Sequence, residues 1–449
     1  MAESRKWRKR ALRMILASSL LCSCSGAQRA AGKSDAMPAA GKYVGPGSCG
    51  ATACHGGVQP RSLTRVLQNE YSTWVTKDPH FKALHSLDNA VSQRMGRLLG
   101  IENPASSPKC LACHALVIAP ELKLRDFDVE GVSCESCHGP ASAWLGSHTL
   151  RGWTPEQSFA LGMVDLNDAA RRSEKCLSCH LGTPENEVDH RMIAAGHPDL
   201  VFELDSYSAI EPPHWKPAAD PNHDVRLWAV GQAIQLREAL KRLARHAQGP
   251  AWPEFSDYSC FSCHHNLTKP ETSWRQERGY PHRSAGAPPW DSAHYTVFRI
   301  LAKDVDLTAS QQLDAQLATL YQLASSLSGP PKAIADNALS ASDLANHFAV
   351  EIAQASFDRA RSARLLKAIS EQGDGIANED TRSAEQAAMA LDTIFLSYEK
   401  QAGAHPHVRT AIDGLFEELK NPSSYDAPRF SAQMRKVSAA LRDAGIASQ

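Results

Sequence analysis

The stretch GVSCESCHGPASAWLGSH, residues 131–148, carries two cysteines three positions apart. A histidine directly follows the second, and another histidine comes ten residues later. Cys-x-x-Cys-His is the attachment pattern of c-type haem. Cys134 and Cys137 would form thioethers to the porphyrin vinyl groups, and His138 would supply the proximal iron ligand. The pattern recurs as Cys110-Leu-Ala-Cys113-His114, Cys176-Leu-Ser-Cys179-His180 and Cys260-Phe-Ser-Cys263-His264. A looser fifth site, Cys49-Gly-Ala-Thr-Ala-Cys54-His55, has four residues between its cysteines and still ends in Cys-His. These five sites use ten of the twelve cysteines; Cys22 and Cys24 stand apart near the N-terminus. Structural zinc or a disulfide framework could also use paired cysteines. Neither needs a histidine after every second cysteine, so the expectation is five covalent haem c groups.

The elements that hold these sites read as short helices and long loops. The haem motifs run from Cys49 to His264, about fifty residues of chain for each, too little to build a conventional core around every cofactor. Stacked porphyrins must supply much of the core. Strand-like alternation is scarce, and Pro and Gly punctuate the segment, as in IEPPHWKPAADPNH. Cys110 and Cys134 are close in sequence, so the second and third sites are expected to be neighbours. The fold class expected is mainly α: a loop-rich multihaem cytochrome c domain at 42–300, then a haem-free helical bundle at 301–449.

The N-terminus indicates export. RKWRKRALRMILASSLLCSCSG has a cationic start and an apolar run too short to span a bilayer, the design of a signal peptide. Its end resembles a bacterial lipoprotein processing site with Cys24, or else Cys22, lipidated; the alternative is ordinary cleavage near 27–31. Residues 1–24 are then the signal and 25–41, small and polar, a flexible tether. The expected location is the periplasmic face of a bacterial membrane. The formal net charge of -1 and pI near 7.0 give no electrostatic footprint for nucleic acid.

The wording and order of YVGPGSCGATACHGG, WVTKDPHFKAL, CLACHALV, GVSCESCHGPASAWLGSH, CLSCHLGT, DHRMIAAGHPDLVFEL, PPHW and CFSCHHNL resemble bacterial multihaem cytochromes c of the cytochrome c-554 type, across about 43–295. The resemblance implies electron-carrying haems, mostly with two axial histidines, in a helical, loop-rich fold. This chain departs from that pattern in its wide first Cys spacing, its fifth site and its long haem-free C-terminus. The family's placement of ligands implies His148 after CHGP and His80 after a Trp as distal ligands. His197 in AAGHP, His190 seven residues earlier and His214 in PPHW complete a set of five. His85, His223, His265, His282 and His294 are reserves. Trp74, Trp144, Trp153, Trp215 and Phe261 are expected to pack on porphyrin. Arg275, Arg278 and Lys216 could pair with propionates or simply be exposed.

Beyond about residue 300 cysteine disappears and Ala and Leu rise. Leu313, Leu317, Leu320 and Leu327 share one helical face, with Thr308 and Gln311 as a capping box. SGPP at 328–331 ends that helix. Amphipathic stretches follow at 342–355, 383–398, 410–420 and 431–441. In the third of these Ile412, Leu415, Phe416 and Leu419 repeat at helical spacing. His347, His405 and His407 are expected at the surface.

Two function classes remain open. One is an electron-transfer protein acting between redox partner proteins. The other is an oxidoreductase acting on a small nitrogen or sulfur compound at a haem with an open distal face. Every attachment site carries His rather than a Cys-x-x-Cys-Lys variant, and spare histidines are plentiful, which favours transfer.

Overall fold

The computed structural model describes residues 41–62, 66–216, 220–260, 263–264, 288, 290–326 and 329–446. Cys22, Cys24, the signal, the tether up to 40, His265, His282, Phe261, Arg275, Arg278, Leu327 and Ser328 lie outside them. Strand structure among the described residues is limited to isolated bridges such as Tyr43 with Lys123 and Tyr258 with Trp290. The fold is mainly α, with many short helices separated by loops in its first part.

The attachment motifs themselves make several of these helices. The N-terminal half runs α1 Glu70–Lys77, α2 Pro79–Lys82, α3 Ala90–Leu99, α4 Pro108–His114, α5 Cys134–His138, α6 Pro155–Phe159, α7 Ala169–His180, α8 His190–Ala195 and α9 Leu204–Ile210. Helices α4, α5 and α7 each end on the motif histidine. At helical pitch the two cysteines and the histidine, at i, i+3 and i+4, fall on one face, which lets a single turn present all three to one ligand. Starts are fixed by side-chain caps: Asp78 accepts from His80 N, Asp168 from Arg171 N and Asp189 from Met192 N. Gly131, in front of the third motif, has φ +85°, and a Cβ there would come within 2.6 Å of Phe81 O. Only glycine lets the chain pass that close to the His80 backbone.

The second half is α10 His223–Gln248, α11 Ala293–Thr296, α12 Phe298–Val305, α13 Leu307–Ser325, α14 Pro331–Gln354, α15 Arg359–Glu371, α16 Gly373–Glu379, α17 Thr381–Ala402, α18 Pro406–Leu419 and α19 Ala427–Asp443. Helix α10 is buried on nearly every side and packs along α14, with α7 and α17 also against it. One apolar core runs from Leu177 through Trp228, Phe298, Phe348 and Phe395 to Ile446. It crosses residue 300 without a break, so the composition shift there marks the loss of cysteine rather than an edge of the packing. The buried glutamines inside are paired: Gln232 Nε2 donates to Gln386 Oε1 at 3.0 Å, and Gln235 Nε2 and Gln386 Nε2 both donate to Phe202 O.

The helices expected after 300 are present and longer than the sequence suggested. Leu313, Leu317 and Leu320 are buried on α13, which ends at Ser325, just before SGPP. Its cap, however, is Asp306, whose carboxylate accepts from Thr308 N and Ala309 N; Thr308 lies inside the helix. On α18 Ile412, Leu415 and Leu419 are buried while Phe416 is exposed. His347 and His407 are exposed, and His405 packs by the Tyr398 ring.

The N-terminal half is different. Among the described residues between 41 and 176 the buried apolar side chains are Val44, Pro46, Trp74, Leu87, Pro104, Ala115, Ala141 and Trp144. So few residues cannot hold a segment of that length together through burial of its own apolar surface. What this half organises instead is its histidines and cysteines.

Candidate haem sites

Two imidazoles bound through Nε2 to opposite faces of one iron, at about 2 Å each, have ring centres about 6.3 Å apart. Four pairs of motif and candidate distal histidines stand at that separation. His55 and His148 are 6.2 Å apart with planes 5° from parallel. His180 and His80 are 6.4 Å apart at 88°, and His114 and His197 are 6.4 Å apart at 87°. His264 and His190 are 6.4 Å apart at 31°.

The hydrogen bonds around these rings leave Nε2 free to face inward. His148 Nδ1–H donates to Leu145 O at 2.6 Å, His114 Nδ1–H to Ala83 O at 2.9 Å and His197 Nδ1–H to Pro198 O at 2.8 Å. His55 Nδ1–H donates to Glu70 Oε2 at 2.8 Å and His80 Nδ1–H to Asp78 Oδ1 at 3.0 Å. Carbonyls and carboxylates only accept, so these five rings carry their proton on Nδ1 and keep a lone pair on Nε2. Such partners orient a ligating histidine and strengthen it as a donor. Glu70 raises the pKa of His55 against the effect of burial, and Asp78 does the same for His80. His180 lies against Phe202, ring centres 4.9 Å apart; burial, with the His80 charge behind it, pushes its pKa down to about 4.

His138 belongs to none of these four pairs. Burial pushes its pKa down to about 4, and His214 is the neighbouring charge that adds most, ahead of His55 and Arg172. His214 Nδ1–H points to Pro212 O at 3.4 Å, with Glu211 Oε1 at 3.7 Å. Its ring packs on Trp215, over whose other contacts the Arg172 guanidinium sits 4.7 Å from the ring centre.

None of the ten described cysteines forms a disulfide. The Cys49 sulfur lies beside that of Cys134, and the Cys113 sulfur beside that of Cys179. These contacts bring the first site next to the third and the second next to the fourth, while Leu116 N donates to Gly131 O at 2.9 Å between the second and third motifs. The reserve histidines are placed otherwise: His85 rests against Phe81, and His223 opens α10.

One positioning residue carried no signal in the sequence. Glu135, at a variable position inside the third motif, is buried and accepts from Val44 N, Gly45 N and Ala141 N at 2.8–3.1 Å. It ties the chain entering the first site to the third. Trp74 Nε1 donates to Val132 O at 2.9 Å, and Trp153 Nε1 to Ser158 Oγ at 2.9 Å. Lys216 Nζ donates to Ser62 O at 3.3 Å. Trp144 Nε1, beside the His148 ring, and His294 Nδ1, near the fifth site, are buried with no hydrogen-bond partner among the described residues. Buried donors and acceptors left this way fit a polar, non-polypeptide group that completes them. Together the paired rings, the sulfurs on the same helical turns and the sparse apolar core suit haem c.

No helix among the described residues is long and apolar enough to cross a membrane. Residues 48–139 match the family described as cytochrome c554 and c-prime. No curated protein and no solved structure matches the chain.

Proposed function

We propose that this chain, a member of the cytochrome c-554 family through its segment 48–139, is an exported five-haem cytochrome that passes electrons between redox partner proteins. As a c-type cytochrome it binds haem c covalently and serves electron transfer. Haem c supplies reversible one-electron chemistry at iron. The cysteines at 49 and 54, 110 and 113, 134 and 137, 176 and 179, and 260 and 263 would hold the five groups.

The observation that carries this reading is the four histidine pairs at 6.2–6.4 Å. A histidine on each side leaves iron no position for a substrate, and ligation that does not change with oxidation state keeps the reorganisation on electron transfer small. In this reading His148 serves His55, His80 serves His180, His197 serves His114 and His190 serves His264. His214 is assigned to His138 as the one candidate and the one motif histidine left after the other four pairs. Each distal ligand comes from a chain segment other than its partner's attachment motif. Ligation therefore cross-links the loops that the small apolar core cannot.

The partners, the periplasmic location and a lipid anchor at Cys24 are parts of the same proposal, resting on the cationic, apolar and Cys-containing sequence at 5–24. Labelling with palmitate, with and without Cys22→Ser and Cys24→Ser, tests the anchor. Intact-mass spectrometry of the denatured protein tests the haem count. Five haem increments are expected. Four increments with Cys49 and Cys54 unmodified would remove the first site.

A further inference from the structure

The fifth attachment site is built by two distant parts of the chain. Tyr258 donates its hydroxyl to Ala324 O on α13 at 3.0 Å, and Ser259 Oγ donates to Asp380 Oδ2, the cap of α17, at 3.1 Å. Asp291 N donates to Asp257 O at 2.9 Å. The residues leading into Cys260 are thus fastened to helices that carry no haem motif.

Arg382, in the first turn of α17, stands at that junction. It is partly buried and forms ion pairs with Asp291 and with Asp199, two residues beyond His197. Burial opposes charge on Asp291, and Arg382 outweighs it, holding that carboxyl below its ordinary pKa. Asp380, the partner of Ser259 Oγ, lies two residues before Arg382, so the charge pair stands beside the residue that precedes Cys260.

We propose that Arg382 and Asp291 are tuning residues for the fifth haem site, and that the haem-free helices exist in part to supply the cation of this charge pair. The proposal rests on the reading that Cys260, Cys263 and His264 carry a haem. Reduction adds one negative charge at the site. A buried cation nearby favours the reduced form and raises the potential, a buried anion lowers it, and neither is much screened by salt. Arg382 and Asp291 therefore pull in opposite directions, and the balance separates this site from the other four.

The test is a spectroelectrochemical titration of the full-length holoprotein, with haems counted by mass spectrometry, for wild type, Arg382→Gln, Arg382→Lys and Asp291→Asn. One midpoint should fall in Arg382→Gln and rise in Asp291→Asn while the other four hold; Arg382→Lys should stay near wild type. Five attached haems with all midpoints unmoved, or moved the same way in both charge-removing variants, would overturn the proposal. If Arg382→Gln does not fold because it strands the buried Asp291 carboxylate, Asp291→Asn and Arg382→Lys decide by the same criteria. A wild-type protein with no haem on Cys260 and Cys263 would instead overturn the reading beneath it, which the mass spectrum distinguishes.

Discussion

His55 and His148 face each other with ring centres 6.2 Å apart and planes 5° from parallel, although 93 positions of sequence separate them. His148 comes ten residues after His138, yet its ring stands opposite the motif histidine of the first site. Its Nδ1–H is held by Leu145 O, which leaves Nε2 as the lone-pair nitrogen.

Replacing His148 with Ala should leave every thioether intact, so the haem count by mass spectrometry stays unchanged. One iron should become high-spin and open to carbon monoxide, with a raised potential from loss of a strong donor. An absorbance spectrum with and without carbon monoxide reads this directly. No added carbon monoxide binding would remove His148 as a ligand.

Glu135→Gln keeps the size of the side chain but loses one of the two acceptor oxygens that hold Val44 N, Gly45 N and Ala141 N. A buried N–H left unpaired costs about 1–3 kcal/mol. The variant should show a lower denaturation midpoint and earlier proteolysis around 41–48, with its haems still attached. Unchanged protection of that segment would mean that Glu135 does not anchor it.

Phe348 on α14 is fully buried and packs edge-on against Phe298 at 5.7 Å. Phe348→Ala should lower stability by about 3–5 kcal/mol through the cavity it leaves. Because the core runs from Leu177 to Ile446, chemical denaturation should still show the second half unfolding as one unit, with α7 and its motif included.

His246 bridges Asp257 at 2.5 Å and Glu187 at 2.7 Å. Burial works against its charge, but the two carboxylates outweigh it and raise its pKa to about 9. The folded value lies above the unfolded value of about 6.5. The stabilisation is therefore fully present below about pH 6.5 and lost as pH rises through about 9. His246→Gln should lower the unfolding free energy from urea titration at pH 6 by an amount on the order of 1–3 kcal/mol and have little effect at pH 10. An equal loss at both pH values would point to packing rather than charge.

The attachment motifs were legible because they are local: two sulfurs and an imidazole within five residues need nothing else to define them. The distal histidines could be named as a set, but their partners could not be read, since pairing His80 with His180 or His190 with His264 depends on how distant loops cross. Helix α10 went unread for a different reason. It is buried on nearly all sides, so it lacks the one-sided apolar stripe by which a helix is recognised. The α13 cap was misplaced because Thr308 and Asp306 are both good capping residues, and only the backbone shows that Asp306 takes the two N–H groups. Glu135 and Arg382 gave no signal because their roles lie in contacts across about 90 and more than 180 residues of chain.

Low-temperature electron paramagnetic resonance of the fully oxidised protein tests the central claim most directly. Parallel imidazole planes, as at His55 and His148, split the two iron orbitals that point between them and give a rhombic low-spin signal. Near-perpendicular planes, at 88° for His80 and His180 and 87° for His114 and His197, leave those orbitals nearly degenerate and give a strongly anisotropic one. The account predicts both low-spin classes and no high-spin ferric haem. A high-spin signal integrating to one haem or more, in intact protein with all thioethers formed, would contradict it.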